Sequence, residues 1–299
     1  MRKLMTIVFG ACLAVSSFGQ GFVDARIEDM GGEKVTVTDS WLDCNQRGTV
    51  LDVARGLVTG QSSINKFGRT QNADDADLTD IWDGANIALD QSLWVQATTG
   101  QTHRITATNA NDHANGIGAR TIRIYGLPDW DTAEISEDVT LLGVTNVFTA
   151  NKYVIIHRAK VLTAGTNGVN MGNVLIDAHA DDTLGAMITA KGGQTKMAIY
   201  GIPSTQDMYI YNLWLSMNRA VATTRGNVFL LVNEIPNTTP LAFLHKHTMG
   251  FHSTGTSAFD MIYAVPKKIT GPAIVKMQVA AGVNDTDVSA GWDAVLITK

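Results

Sequence analysis

The chain has 299 residues, 45% hydrophobic and only 17% charged, with a net charge of -5 at pH 7. That is enough apolar material for one large or two medium domains, and the acidic balance argues against a general nucleic-acid binder, which needs clustered lysine and arginine to neutralise phosphates. Cys12 and Cys44 are the only cysteines, which excludes a disulfide framework, and no CxxC or Cys/His zinc spacing is present.

Residues 1–20 read MRKLMTIVFGACLAVSSFGQ. Arg2 and Lys3 precede an apolar run from Leu4 to Val15, and Ser17 and Gly19 follow as small residues at cleavage-like positions. This is the layout of a secretory signal peptide, and the run is too short to cross a membrane. The competing readings are a buried segment or an upstream extension, with Met30 as the alternative start. Residues 1–30 are therefore set apart as a signal-like or extension segment. No other stretch approaches about 18 consecutive apolar residues, so no membrane span is expected.

Residues 31–80 read as an extended arm or linker with short strands, at Lys34–Thr38 and Gly48–Val53. Residues 56–70, GLVTGQSSINKFGRT, have no periodicity and yet are too apolar for a plain linker. The acidic QNADDADLTD of residues 71–80 predicts an exposed loop. Asp74, Asp75, Asp77, Asp80 and Asp83 could offer calcium hard oxygen ligands, but the EF-hand glycine and distal glutamate are missing, and a solvated acidic loop is simpler.

From Ile81 apolar packing restarts. Threonine with β-branched residues favours strands, and Gly, Asn and Asp favour the turns between them. Strands are predicted at Leu93–Ala97, His103–Thr108, Thr121–Tyr125, Ser136–Leu142, Tyr153–Leu162 and Val174–Ala178. A second group follows at Met197–Tyr200, Asp207–Asn218, Gly226–Glu234, Ala242–Met249, Ala258–Ala264, Ala273–Ala280 and Trp292–Thr298. Along Asp207–Asn218, Tyr209, Tyr211, Leu213, Leu215 and Met217 should share one face, and Ile210 and Trp214 the other. The fold class is all-β: two successive antiparallel β-sandwich domains, jelly-roll or Ig-like, at residues 81–191 and 192–299, after an extended N-terminal segment.

Searches for chemistry find little. The GxSxG elbow, the GxxxxGK[ST] phosphate loop, the dinucleotide fingerprint and HExxH are all absent. His245 and His247 at strand spacing, with His252, could face a metal, but a solvated strand face beside Lys246 is the simpler reading. Glu134 and Glu137 could form a glycosidase pair, although polar strand edges are full of such pairs. Trp130, in the turn Pro128–Asp131, is the best candidate for an exposed sugar-stacking ring. Catalytic roles cannot be filled, so the chain reads as non-enzymatic, without metal or cofactor.

LDVARGLVTGQSSINKFGR at residues 51–69 resembles the amino-terminal part of a family of virion proteins from marine and other aquatic tailed phages. DIWDG at 80–84, GARTIRIYGL at 118–127 and NDTDVSAGWD at 284–293 resemble the same pattern, in the same order. The resemblance implies a structural component of a phage particle, a capsid decoration or tail-associated protein. It implies other capsid or tail subunits as partners, a homo-oligomer, and a place in the virion. On that reading residues 51–69 form an arm that orders against a neighbouring subunit. Leu57, Val58, Ile64 and Phe67 would supply its apolar contacts, with Lys66 and Arg69 meeting acidic groups of the neighbour. The alternative is a secreted or cell-surface carbohydrate-binding β-sandwich, with a signal peptide at residues 1–20 and Trp130 as its platform.

Overall fold

β-Branched residues in short alternating runs build strands here, as they should. In the computed structural model the described residues are 50–74, 77–86, 92–97, 99–218, 224–238, 242–253, 257–284 and 286–299. The signal-like segment, the strand expected at Lys34–Thr38 and both cysteines lie outside them.

The chain is all-β. A short helix α1 (Val50–Ala54) leads into β1 (Gln61–Ala73) and β2 (Leu78–Asp80), followed by a 3-10 turn at Asp83–Asn86. Seven strands come next: β3 (His103–Ala107), β4 (Ala119–Leu127), β5 (Ile135–Thr140), β6 (Val147–Phe148), β7 (Ile155–Ala164), β8 (Val174–Ala178) and β9 (Leu184–Ile188). They form two antiparallel sheets, ordered β6-β3-β8-β9 and β5-β4-β7. The last seven are β10 (Ile199–Ile202), β11 (Gln206–Asn218), β12 (Thr224–Asn233), β13 (Leu244–Ser253), β14 (Ser257–Thr270), β15 (Ala273–Ala281) and β16 (Thr286–Thr298). They give the sheets β1-β16-β11-β14 and β10-β15-β12-β13, with β2 also on β15.

Two hydrophobic cores follow from this pairing. One gathers Met208, Leu213 and Leu215 of β11, Trp292 and Ala294 of β16, and Leu230 and Val275 of the facing sheet. The other gathers Ile105, Ile122, Ile124, Ile155 and Ile176 from the two smaller sheets, with Trp82 and Trp130. β15 serves both. Its Ala273, Val275, Met277 and Val279 enter the first core, and Ile274 enters the second. A strand covered on both faces needs an almost continuous apolar run, and AIVKMQVAA is one. The expected boundary near Gly192 is thus bridged, since Met197 and Ile199 pack in the second core while Ala198 and Tyr200 pack in the first.

Four expectations change. Gly48–Val53 was expected as a strand, but Val50–Ala54 is helical. Leu93–Ala97 forms no strand, because the Trp94 amide donates to the Asp80 carboxylate at 2.8 Å instead of to a ladder. The end of the acidic loop is buried, not solvated: Asp80 is 0% exposed on β2, and Asp83 is buried beside Lys196 and Thr189. Along β11 the ladder is interrupted between Ile210 and Asn212: Tyr211 is one extra residue against β16, and against β14 it stands opposite the four unpaired residues 263–266. The extra residue flips the side-chain parity, so Met208 and Ile210 share the core with Leu213, Leu215 and Met217.

Of the segment expected to be an arm, residues 61–69 are a strand of this chain, after helix α1 and a turn. β1 pairs with β16 from Gln61↔Ile297 to Ala73↔Thr286. Polar residues at 62, 63 and 65 hide the signal, because they alternate with only one strongly apolar residue, Ile64. Gly68 is required by close packing: a Cβ there would lie 2.1 Å from the Ile81 carbonyl oxygen and 2.4 Å from the Ala198 amide.

Candidate functional site

Where the two cores meet, a cleft of about 300 Å³ opens between β1, β7, β10 and the turn before β5. Period-two alternation turns Lys66 inward on β1, between Ile64 and Gly68, and leaves it 8% exposed. Its ammonium donates to the carbonyl of His157 on β7. His157 is itself 1% exposed, and its Nε2 lies 2.5 Å from the Glu134 carboxylate. Tyr200 of β10 covers the His157 ring at 4.2 Å between centroids and donates its hydroxyl to Glu134 at 3.4 Å. Arg158, Tyr125, Ser62, Ser63, Asn65, Gln206 and Leu296 complete the walls.

The electrostatics follow from burial. Desolvation, reinforced by the Arg158 charge, lowers the Lys66 pKa from 10.5 to about 7 against the pull of Glu134. Burial also lowers His157, only partly offset by Glu134, so its ring is neutral at pH 7. A neutral ring donating from Nε2 leaves Nδ1 as an acceptor, and that atom is buried without a hydrogen-bond partner. Burial alone would raise Glu134, but the bond from His157, the nearby Lys66 and the Tyr200 hydroxyl together hold it low. Tyr200 is pushed up, by burial first and then by Glu134. The arrangement therefore holds one anchored carboxylate, one easily deprotonated amine and one exposed guanidinium in a single cleft.

A pH signature follows. The unfolded chain keeps the Lys66 proton up to about the ordinary 10.5, whereas the fold releases it near 7. Between those values the unfolded state binds more protons, so stability rises with pH, by up to about 1.4 kcal/mol per pH unit for one such group. Lys66→Met is expected to remove this rise. Urea unfolding of both proteins between about pH 7 and 10 checks it, and parallel stability curves would refute it.

No protein-family model matches the chain. No curated protein matches it either. Among solved structures, two of infectious bursal disease virus are similar in part. The Gt-strain structure covers 80% of this chain and 73% of its own, at 10% identity and a TM-score of 0.22. The Gx-strain structure covers 80% and 72%, at 9% identity and a TM-score of 0.21. Overlays at that level assign neither fold nor function.

The residues singled out from sequence are placed as follows. Leu57 is 62% exposed after α1, and Val58 is half-buried. Ile64 packs against the first core, and Phe67 is half-buried on the opposite face of β1. Lys66 and Arg69, expected to meet acidic groups of a neighbour, are engaged within the chain. Lys66 sits in the cleft, and Arg69 pairs with Asp287 of β16 at 3.0 and 2.5 Å. Trp130, expected to be an exposed platform, is 8% exposed and packs in the second core. The turn folds it inward because the Asp129 carboxylate accepts from the amides of Asp131 and Thr132, while Ser204 donates its amide to the Trp130 carbonyl.

His245 and His247 do not share a face. A bulge at Lys246 sets His247 opposite Leu230 and His245 opposite Leu231, which are consecutive residues. Their rings accordingly meet different partners, Tyr263 for His247 and Phe229 for His245. Among the described residues no group of three or more His, Cys, Asp or Glu is placed to hold a metal, and no helix is long and apolar enough to cross a membrane. Glu134 and Glu137 have separate tasks: Glu134 lines the cleft, and Glu137 accepts from the amides of Ala150 and Asn151. Sequence reasoning did not connect Lys66 with His157, Arg158 and Tyr200. The available signal was one histidine inside the otherwise apolar start of β7, Ile155-Ile156-His157.

Proposed function

We propose that this chain is a non-enzymatic structural protein of a virus particle, a capsid decoration or tail-associated component that self-associates and docks on neighbouring subunits. The observation that carries the reading is spatial. Three of the four stretches that resemble the phage virion family meet one another in the fold. Residues 51–69 pair with 284–293 through Lys66↔Trp292 and Phe67↔Gly291 and through the Arg69–Asp287 ion pair. The third, 80–84, receives the Gly68 backbone against Ile81. A shared pattern that closes one sheet is what a family with a common scaffold would keep. Within this reading the two cores are two β-sandwich units, the first closed by β1.

The docking residues shift accordingly. Leu51 at 64% and Leu57 at 62% exposure stand out on and just after α1, with Val58 beside them, so these replace Ile64, Lys66 and Phe67 as the contact surface. Deleting residues 51–69 would remove most of β1 and test only folding. Leu51→Asp with Leu57→Asp is the sharper test. Particles assembled with this double variant are expected to carry at least about tenfold less of the chain. Undiminished incorporation would count against docking through α1, and absence of the wild-type chain from purified particles, read by mass spectrometry, would end the virion reading.

A further inference from the structure

We propose that the cleft between β1 and β7 is a binding site for a small oxyanion, held between Lys66 and Arg158. Two cations line it, and Arg158 stands close enough to Lys66 to oppose its protonation. A third, Lys160, lies with Arg158 over the Tyr125 ring, each 5.6 Å from its centroid. Against them the walls carry one carboxylate, Glu134, which already accepts from His157 and Tyr200. With Lys66 protonated, two cations face one already engaged carboxylate, Lys66 buried and Arg158 at the exposed side, and a bound anion between them is the group that balances the pair.

The remaining lining suits the same ligand. Ser62, on the Lys66 face of β1, brings a hydroxyl donor and Gln206 an amide, and Ile64, Leu296 and the tyrosines form an apolar floor. The volume of about 300 Å³ is at the small end for ligand pockets, which fits a phosphate or a carboxylate on a monosaccharide-sized body. Binding has a distinctive consequence. An anion beside Lys66 restores its affinity for a proton, so above pH 7 the ligand brings a proton in with it.

Calorimetry at about pH 8 tests this, in two buffers of different ionisation enthalpy, with inorganic phosphate, glucuronate and glucose as probes. At least one anion is expected to bind with uptake of a fraction of a proton approaching one. Arg158→Ala, at an exposed position, is expected to weaken it about tenfold or more, and Lys66→Met to abolish the uptake. Glucuronate binding more tightly than phosphate identifies the ligand as an organic acid, and the reverse order as a phosphoryl group. Failure of both anions to bind, equal binding of glucose, or unchanged affinity in Arg158→Ala overturns the proposal. None of these outcomes depends on whether the chain belongs to a virus particle.

Discussion

Lys276→Met is expected to cost about 3–5 kcal/mol of stability, the usual loss when one partner of a buried ion pair is removed. Lys276 on β15 and Asp80 on β2 are 5% and 0% exposed, and their charged atoms lie 2.7 Å apart. Burial drives the Asp80 pKa up, while the Lys276 charge, the Trp94 amide and the Gln278 side chain pull it back. Lys276 also sits 4.4 Å from the Phe243 ring centroid, an arrangement that favours the cation. Without Lys276 the carboxylate keeps two neutral donors at 2.8 and 3.1 Å, too few to replace its lost hydration. The double variant Asp80→Asn with Lys276→Met removes both charges and leaves an oxygen for the Trp94 amide. It is expected to recover most of the loss. Urea unfolding of the four proteins gives the coupling directly, and a double variant no more stable than the single one would show that the pair is not an electrostatic unit. The sign with pH is also fixed. Asp80 has a folded pKa above its unfolded one, so its contribution is greatest at acid pH and is lost as pH rises through the folded value. The deficit of Lys276→Met should therefore shrink on acidification.

The second large effect is expected at Asp112, which is 0% exposed. Its carboxylate accepts from the Ala119 and Met171 amides through Oδ1, each at 2.8 Å, and from the Gly172 amide through Oδ2 at 2.8 Å. Its own carbonyl accepts from Gly143 at 2.7 Å. One side chain thereby ties the 109–118 loop to the start of β4 and to the turn before β8. Asp112→Ala strands three buried or half-buried backbone donors at roughly 1–3 kcal/mol each, a loss on the order of 4 kcal/mol. Asp112→Asn keeps one acceptor and should lose less. The denaturation midpoints of the two variants, compared with wild type, check this order, and equal, small losses would show that the loop re-satisfies its amides elsewhere.

How much of this was legible in the sequence depends on whether the cause was local. β8 is found where alternation put it, at Val174–Ala178, and most later strands lie within a few residues of their expected positions. The errors come from events that local pattern cannot register. A single extra residue near Tyr211 reverses the faces of the second half of β11, and another at Lys246 separates His245 from His247. β1 was missed because its partner lies at the other end of the chain. Asp80 looked solvated because its neutralising lysine is 196 residues away. The cleft was hidden for the same reason: Lys66 and His157 are 91 residues apart, and no spacing rule joins them. Lys66 and Ile64 were singled out from sequence, but for a surface role, because a lysine in a polar stretch gives no sign that its strand face is covered.

The closure of β1 on β16 also sets an order of events at the ribosome. Arg69 and Asp287, which clasp that edge, are 218 residues apart, so β1, made before every other described strand, is among the last to find its place. Strands β3–β9 can pair while the rest is still being translated, as their partners all lie within residues 103–188. The sheet that contains β1 must wait for its central strand, β16. Until then β1 and β11 each present a long open edge, and loop closure over such a distance is slow. The nascent chain is thus exposed to misassociation along β1 until β16 has been made.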